Sequence, residues 1–189
     1  MDESYWSKRY ENNETGWDIG EASKPLIKLL QNYTNKEIKI LIPGCGNAYE
    51  AEYLHNRGFT NVSIIDIAIE PLEAFKNRNP DFPENQILLG DFFEHKGSYD
   101  LIVEQTFFCA INPQLRPKYV LKCHELLKPK GSLLGVLFNR EFEGGPPFGG
   151  SIEVYERLFK SQFSDVNIEE CQYSIKPRMG SEALINCKK

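Results

Sequence analysis

Gly44, Gly46 and Asp66 are the residues whose types and spacing first imply chemistry. The glycines lie in Ile38-Lys39-Ile40-Leu41-Ile42-Pro43-Gly44-Cys45-Gly46-Asn47-Ala48-Tyr49-Glu50, an apolar run broken by a Gly-x-Gly pair. Without a Cβ the backbone there turns sharply and a ligand comes close. Asp66 closes a second apolar run, Val62-Ser63-Ile64-Ile65, 22 residues past Gly44. That spacing suits a carboxylate that accepts hydrogen bonds from ribose hydroxyls. Asn47 and Glu50 are spaced as a helix cap and its reciprocal partner, an arrangement that sets backbone N–H groups beside the loop. The chemistry implied is a nucleotide-like ligand at the end of a first strand. A tight turn at the glycines and a strand-end cap at Asp66 are the plainer alternatives.

The elements that must position these residues alternate along the chain. A helix is expected from Ser23 to Tyr33, with Pro25 in its first turn, and the glycine loop leads into a helix from Tyr49 to Arg57 that Gly58 stops. Val62–Ile65 is a second strand, Pro71 opens the next helix, and Gln86–Leu89 is a short third strand closed by Gly90-Asp91-Phe92-Phe93. Tyr99–Gln105 reads as a fourth strand, with Thr106–Pro113 as the loop at its carboxyl end. A helix over Leu115–Leu127 ends at Lys128-Pro129-Lys130-Gly131, and Ser132–Phe138 is apolar enough for a buried central strand. After a loop from Asn139 to Gly150, a helix over Ile152–Phe159 and alternating segments Val166–Tyr173 and Glu182–Cys187 finish the chain. The last pair reads as antiparallel edge strands. Alternating strands and helices imply an α/β fold, a mainly parallel sheet covered on both faces.

Composition narrows the partners. With 189 residues the chain suits one domain, 1–189. Its 22 Lys and Arg against 27 Asp and Glu give a net charge of −5, so no basic field exists to hold a phosphate backbone, and no nucleic-acid partner is expected. The five cysteines are widely spaced without a CxxC pair, which argues against a disulfide framework or a zinc site and fits a reducing, cytoplasmic compartment. No metal site is expected, because His55, His95 and His124 lack ligand spacing. The amino terminus has no apolar signal core and no run is long enough to span a bilayer, so no membrane partner is expected either.

A Gly-x-Gly loop with an acid on the next strand serves both NAD(P)-dependent oxidoreductases and S-adenosylmethionine-dependent methyltransferases. A dinucleotide fingerprint starting at Gly44 needs a small residue at position 49, and Tyr49 stands there. Adenosylmethionine has no pyrophosphate and tolerates that side chain. It requires a ribose partner, polar groups by the adenine and something near the sulfonium, roles open to Asp66, Asp91 and the aromatic residues Trp6, Tyr10 and Trp17.

Trp6, Tyr10 and the run Thr15-Gly16-Trp17-Asp18-Ile19-Gly20 are followed in order by Ile42-Pro43-Gly44-Cys45-Gly46, Gly90-Asp91-Phe92-Phe93 and Thr106-Phe107-Phe108-Cys109-Ala110-Ile111. Leu115-Arg116-Pro117 and Gly144-Gly145-Pro146-Pro147-Phe148 come next. Over Trp6 to about Phe159 this succession resembles the thiopurine S-methyltransferase family, most closely its thiol and halide methyltransferase branch. The resemblance implies a Rossmann-like class I methyltransferase fold with a seven-stranded sheet, an antiparallel last strand, and an N-terminal lid, residues 1–22, folding over a core of residues 23–189. It implies S-adenosyl-L-methionine as cofactor and S-adenosyl-L-homocysteine as product. Trp6, Tyr10 and Trp17 are then expected over the cofactor, Gly44 and Gly46 at its amino acid part, Asp66 at the ribose, and Asp91 with Phe92 at the adenine. Gln105 is expected to line the cofactor site and, with Arg116, to act at the acceptor.

The implied activity is methyl transfer to a small soft nucleophile, a thiol foremost, with halide, thiocyanate or a thiopurine as alternatives, by a monomeric enzyme. Plant thiol and halide enzymes usually carry aspartate and tyrosine where this chain has Glu104-Gln105, and tyrosine at Phe138, so a catalytically silent cofactor-binding module is a further reading. Cys109 is read as a buried small hydrophobe rather than a nucleophile.

Overall fold

The computed structural model describes residues 1–189. Seven strands form one sheet: β1 (Ile40–Pro43), β2 (Val62–Asp66), β3 (Ile87–Leu89), β4 (Tyr99–Gln105), β5 (Leu127–Phe138), β6 (Asp165–Glu170) and β7 (Glu182–Lys188). Their order is β3-β2-β1-β4-β5-β7-β6. β1 pairs in parallel with both β2 and β4, and β4 with β5, whereas β7 runs antiparallel to β5 and to β6. β7 therefore lies inside the sheet, and β6 rather than β7 forms the edge.

Six helices cover the sheet: α1 (Glu3–Glu11), α2 (Lys24–Leu30), α3 (Tyr49–Asn56), α4 (Ile69–Arg78), α5 (Arg116–Leu126) and α6 (Ile152–Phe159). Strand alternation decides which face each apolar residue serves. On β1, Ile40 and Ile42 pack with Leu26 of α2, Leu54 of α3 and Phe75 of α4, while Leu41 points to the other face. There Leu41 and Ile102 of β4 meet Tyr119 and Cys123 of α5 and Phe159 of α6. Both faces are thus buried, as expected of central parallel strands.

Several boundaries differ from the sequence reading. α2 stops at Leu30, and α4 begins at Ile69, two residues before Pro71. β5 starts at Leu127 instead of Ser132, because Leu127 pairs with Tyr99 across an irregularity and Lys130 takes a left-handed conformation (φ 68°) that lets the strand continue. Gly58 does sit beyond α3 with φ 84°, a backbone state that a side chain resists.

The expected cap between Asn47 and Glu50 does not form. Ala48, left-handed at φ 54°, is the N-cap of α3, which starts the helix one residue later and breaks the cap spacing. Glu50 instead accepts from the Ser23 N–H at 2.8 Å, and the Asn47 amide donates to Asp18.

Candidate active site

One cavity of about 580 Å³ opens at the carboxyl ends of β1 to β5, under the amino-terminal segment. Its centre is where β1 meets β4 and the strand order reverses, the position at which open α/β sheets bind ligands. Its volume is that of a small-molecule site.

The floor is the loop after β1. Gly44 (φ 54°) and Gly46 (φ 51°) are both left-handed. A Cβ on Gly44 would fall 2.2 Å from the Phe107 ring, so glycine is required there on two counts. Asp66, 7% exposed, accepts from the Gly46 N–H at 2.9 Å through Oδ2 and from the Ala68 N–H at 3.0 Å through Oδ1. Burial raises its pKa, and these N–H groups oppose that shift. Each oxygen keeps a lone pair for a further donor. Asp91, exposed, accepts from the Phe93 N–H at 2.8 Å, so it makes a turn and lines the cavity at once. Phe92 lines the same wall while anchored in the core beside Phe107 and Tyr119.

The roof is aromatic. The Trp17 ring lies edge-on to Trp6 at 5.5 Å and to Tyr10 at 5.7 Å, and all three line the cavity. Burial, reinforced by the nearby Asp66 charge, pushes the Tyr10 phenol well up, so it stays protonated. Asp18 ties roof to floor: Oδ2 accepts from Asn47 and, at 3.4 Å, from the Tyr49 hydroxyl.

The β4 end forms the middle. Gln105 lines the cavity and its buried Oε1 has no partner. Thr106, the next residue, is held left-handed at φ 60°, a strained state for a β-branched side chain and one that clusters at functional sites. Behind them Glu104, 1% exposed, accepts from the Phe108 N–H at 2.8 Å and the Tyr119 hydroxyl at 2.6 Å. The Cys109 thiol donates to the Thr106 carbonyl at 3.1 Å, and burial pushes its pKa to about 12, so no thiolate is available there at neutral pH.

Arg116 requires a correction. It does not line the cavity: the first turn of α5 directs it, 7% exposed, beneath the loop after β5. Nη1 donates to the Gly149 carbonyl and Nη2 to the Phe148 carbonyl, both at 2.9 Å, with the guanidinium 4.6 Å from the Phe108 ring. Two cations that sequence reasoning missed line that end instead. Arg178, on the β6–β7 connection, donates to the Trp17 carbonyl at 2.9 Å, approaches Glu182 at 3.5 Å and lies over Phe138. Arg140 follows β5 at the rim. Neither sits in a recognisable motif, so only the fold brings them to the site.

The histidines lie apart from one another: His55 packs on Phe82, His95 pairs with the Tyr99 hydroxyl at 2.7 Å, and His124 packs on Phe163.

The donor and acceptor set fits adenosylmethionine. Buried Gln105 Oε1 is an unpaired acceptor, Asp66 has lone pairs to spare, and aromatic faces lie above a floor bent to admit a ligand.

Comparison with known proteins agrees. A family model described as thiopurine S-methyltransferase matches residues 1–186. Thiocyanate methyltransferase 1 of Brassica oleracea is 31% identical over 100% of this chain and 86% of its own length. Probable thiol methyltransferase 2 of Arabidopsis thaliana is 32% identical over 97% of this chain and 84% of its own length. In fold, the chain is similar to a Burkholderia thailandensis 1,6-didemethyltoxoflavin-N1-methyltransferase with bound S-adenosylhomocysteine, with a TM-score of 0.77, 16% identity, and coverage of 99% of this chain and 86% of that one. By the extent of these matches, the chain belongs to the thiopurine S-methyltransferase family and is an S-adenosylmethionine-dependent methyltransferase.

Proposed function

We propose that this enzyme methylates a small anionic soft nucleophile, a thiolate foremost. The observation that supports this reading is the division of charge across the cavity. The lining carboxylates Asp18, Glu21, Glu50, Asp66 and Asp91 belong to the β1-β2-β3 side or to the lid above it, where they outnumber the lining Arg9, whose guanidinium stacks on Trp17 and donates to the Tyr5 hydroxyl. On the β4-β5-β7 side the charged lining residues are Arg140 and Arg178. A cationic cofactor suits the first half, and an anionic acceptor the second.

When bound, S-adenosylmethionine supplies a methyl group activated by its sulfonium. Gly44 and Gly46 give room for its amino acid part, Gln105 offers Oε1 to the ammonium, Asp66 takes the ribose hydroxyls, and Asp91 with Phe92 borders the adenine. Trp6, Tyr10 and Trp17 exclude water and favour a cation through their ring faces, each contributing about 0.5–2 kcal/mol. Arg178 favours the acceptor's thiolate over its thiol, so no general base is needed. Alignment of the acceptor within this closed space accounts for much of the catalysis, on the order of 7–11 kcal/mol in favourable comparisons. Phe138 presents no hydroxyl to the acceptor. That omission favours a thiolate, which brings its own charge, over a halide that gains from a hydroxyl donor.

The acceptor panel is hydrosulfide, 2-mercaptoethanol, iodide, thiocyanate and a thiopurine, with adenosylhomocysteine formation as the readout. Thiols should give the highest kcat/KM. Adenosylhomocysteine binding without turnover on any acceptor would instead establish a silent module. No helix is long and apolar enough to cross a membrane, and all five cysteines are free, which supports a cytoplasmic enzyme. We take it to act as a monomer and as one domain, because the lid and core of one chain together enclose the cavity.

A further inference from the structure

Arg178 and Arg140 differ in depth and in partners. The Arg178 side chain is 13% exposed and its charge is shared with Glu182. Phe138, at the end of β5, packs on Phe142 at 5.0 Å, and the Arg140 guanidinium lies 4.8 Å over the Phe142 ring. Arg140 is thus stacked outward of the β5 end, at the rim. Its side chain makes neither a hydrogen bond nor an ion pair, although it lines the cavity. Glu141 and Glu143 follow it in sequence but do not line the cavity, and the Glu141 charge is felt by Tyr155.

The rim is also built to stay in place. The Gly150 N–H donates to the Arg140 carbonyl at 3.0 Å in an isolated antiparallel bridge. Arg116 holds the two carbonyls just before Gly150. A Cβ on Gly149 would fall 1.8 Å from the Arg140 oxygen, so this close pairing depends on glycine. An unpaired guanidinium on a fixed backbone, displaced outward from the strand ends, is placed to meet a second charged group of an acceptor rather than its reacting atom.

We propose that the preferred acceptor is a small thiol that also carries a carboxylate, and that Arg140 is the specificity-determining residue that binds this carboxylate. The proposal rests on the thiol reading above. In the reaction the acceptor's thiol proton has left to water. Its sulfur then forms the new bond to the methyl carbon with its own electron pair, while the bond from that carbon to the donor sulfur breaks and its pair stays on the donor sulfur, leaving the neutral sulfur of adenosylhomocysteine. Arg140 takes no part in these steps.

The test compares mercaptoacetate, 2-mercaptoethanol and 2-mercaptoethylamine at saturating adenosylmethionine in the native enzyme, Arg140→Leu and Arg140→Lys. The ratio of kcat/KM for mercaptoacetate to that for 2-mercaptoethanol should fall about three- to fivefold in Arg140→Leu, as expected for a solvent-exposed ion pair. The loss should lie in KM, be partly restored in Arg140→Lys, and shrink as salt is raised. The ratio to 2-mercaptoethylamine should fall further. Equal ratios in all three proteins would overturn the proposal. Calorimetric titration of mercaptoacetate into the complex with adenosylhomocysteine reads the rim without turnover. Weaker binding in Arg140→Leu supports the Arg140–carboxylate contact, and no binding to the native complex overturns it while leaving the methyl-transfer reading to the acceptor panel; methylation of no thiol at all overturns the thiol reading and this acceptor with it.

Discussion

The Arg116 guanidinium spans the carbonyls of Phe148 and Gly149, each 2.9 Å away, so one buried cation secures two consecutive peptides of the loop that carries Arg140 and Phe142. Its role is positional. Arg116→Leu leaves two carbonyls without donors and is expected to cost about 2–4 kcal/mol of stability. The acceptor KM should rise more than the cofactor affinity changes, because the floor and lid residues do not touch Arg116. Thermal unfolding, acceptor kinetics and adenosylhomocysteine titration measure the three quantities. A variant that loses adenosylhomocysteine binding while keeping its acceptor KM would contradict this assignment.

Gly44 and Gly46 share a left-handed backbone but not the same surroundings. A Cβ on Gly44 meets the Phe107 ring at 2.2 Å, whereas on Gly46 the nearest group is the Tyr10 hydroxyl at 3.0 Å, the far end of a side chain that can shift. Alanine costs about 1–2 kcal/mol at either from the backbone alone. Gly44→Ala should therefore melt lower than Gly46→Ala and lose adenosylhomocysteine binding almost entirely. Adding Phe107→Ala should recover part of the stability of Gly44→Ala and none of Gly46→Ala. Equal melting temperatures for the two single variants would show that the Phe107 contact carries no cost.

Glu104 gives stability a pH dependence. Burial raises its carboxyl to about 7, while the Phe108 N–H and Tyr119 hydroxyl work in the opposite direction. The folded protein therefore binds more protons than the unfolded chain between the ordinary glutamate value and about pH 7. Stability from this group is complete below that window and is lost as pH rises through it. Buried Glu50 and Asp66 are shifted upward too and add to the same slope. Glu104→Gln, which keeps a carbonyl oxygen for one donor, should flatten the fall in melting temperature between pH 5 and about pH 8. An unchanged slope would place the titration elsewhere.

Much of this architecture was legible because it is written in local pattern. Tyr99–Gln105 and Ile152–Phe159 occupy the segments their apolar spacing implies, and the residues Gly44, Gly46, Asp66 and Gln105 fall at strand ends where the cavity forms. Arg116 was misplaced for the opposite reason. Its chemistry suits an anion, but its direction depends on the carbonyls of a loop more than thirty residues away. Arg178 and Arg140 escaped notice because they reach the site only after β7 is inserted beside β5 and the Arg140–Gly150 bridge closes. The Asn47–Glu50 cap failed because a left-handed Ala48 moved the helix start, a backbone choice that alanine does not advertise.

The lid is held to the cofactor loop chiefly through Asp18, whose Oδ2 takes both Asn47 and the Tyr49 hydroxyl. Ser7 supplies a second tie, donating to Glu70 at 2.9 Å, but Glu70 sits in the first turn of α4 and lies outside the cavity lining. Removing either contact raises the population of open lid, and the apparent cofactor affinity falls with the closed fraction. Both ties end on a carboxylate, but Asp18 takes two donors at the cofactor loop itself, whereas Ser7 gives one hydrogen bond to a residue away from the cavity. Asp18→Ala should therefore weaken adenosylhomocysteine binding about tenfold or more, and Ser7→Ala only a few-fold. Both tryptophans of the protein, Trp6 and Trp17, lie in this segment, so intrinsic fluorescence reports it without a label. In Asp18→Ala the free protein should show red-shifted emission and faster proteolysis within residues 1–22, with saturating adenosylhomocysteine reversing both. If emission, cleavage rate and affinity all match the native protein, the Arg178 hydrogen bond to the Trp17 carbonyl and the Ser7–Glu70 contact hold the lid without Asp18.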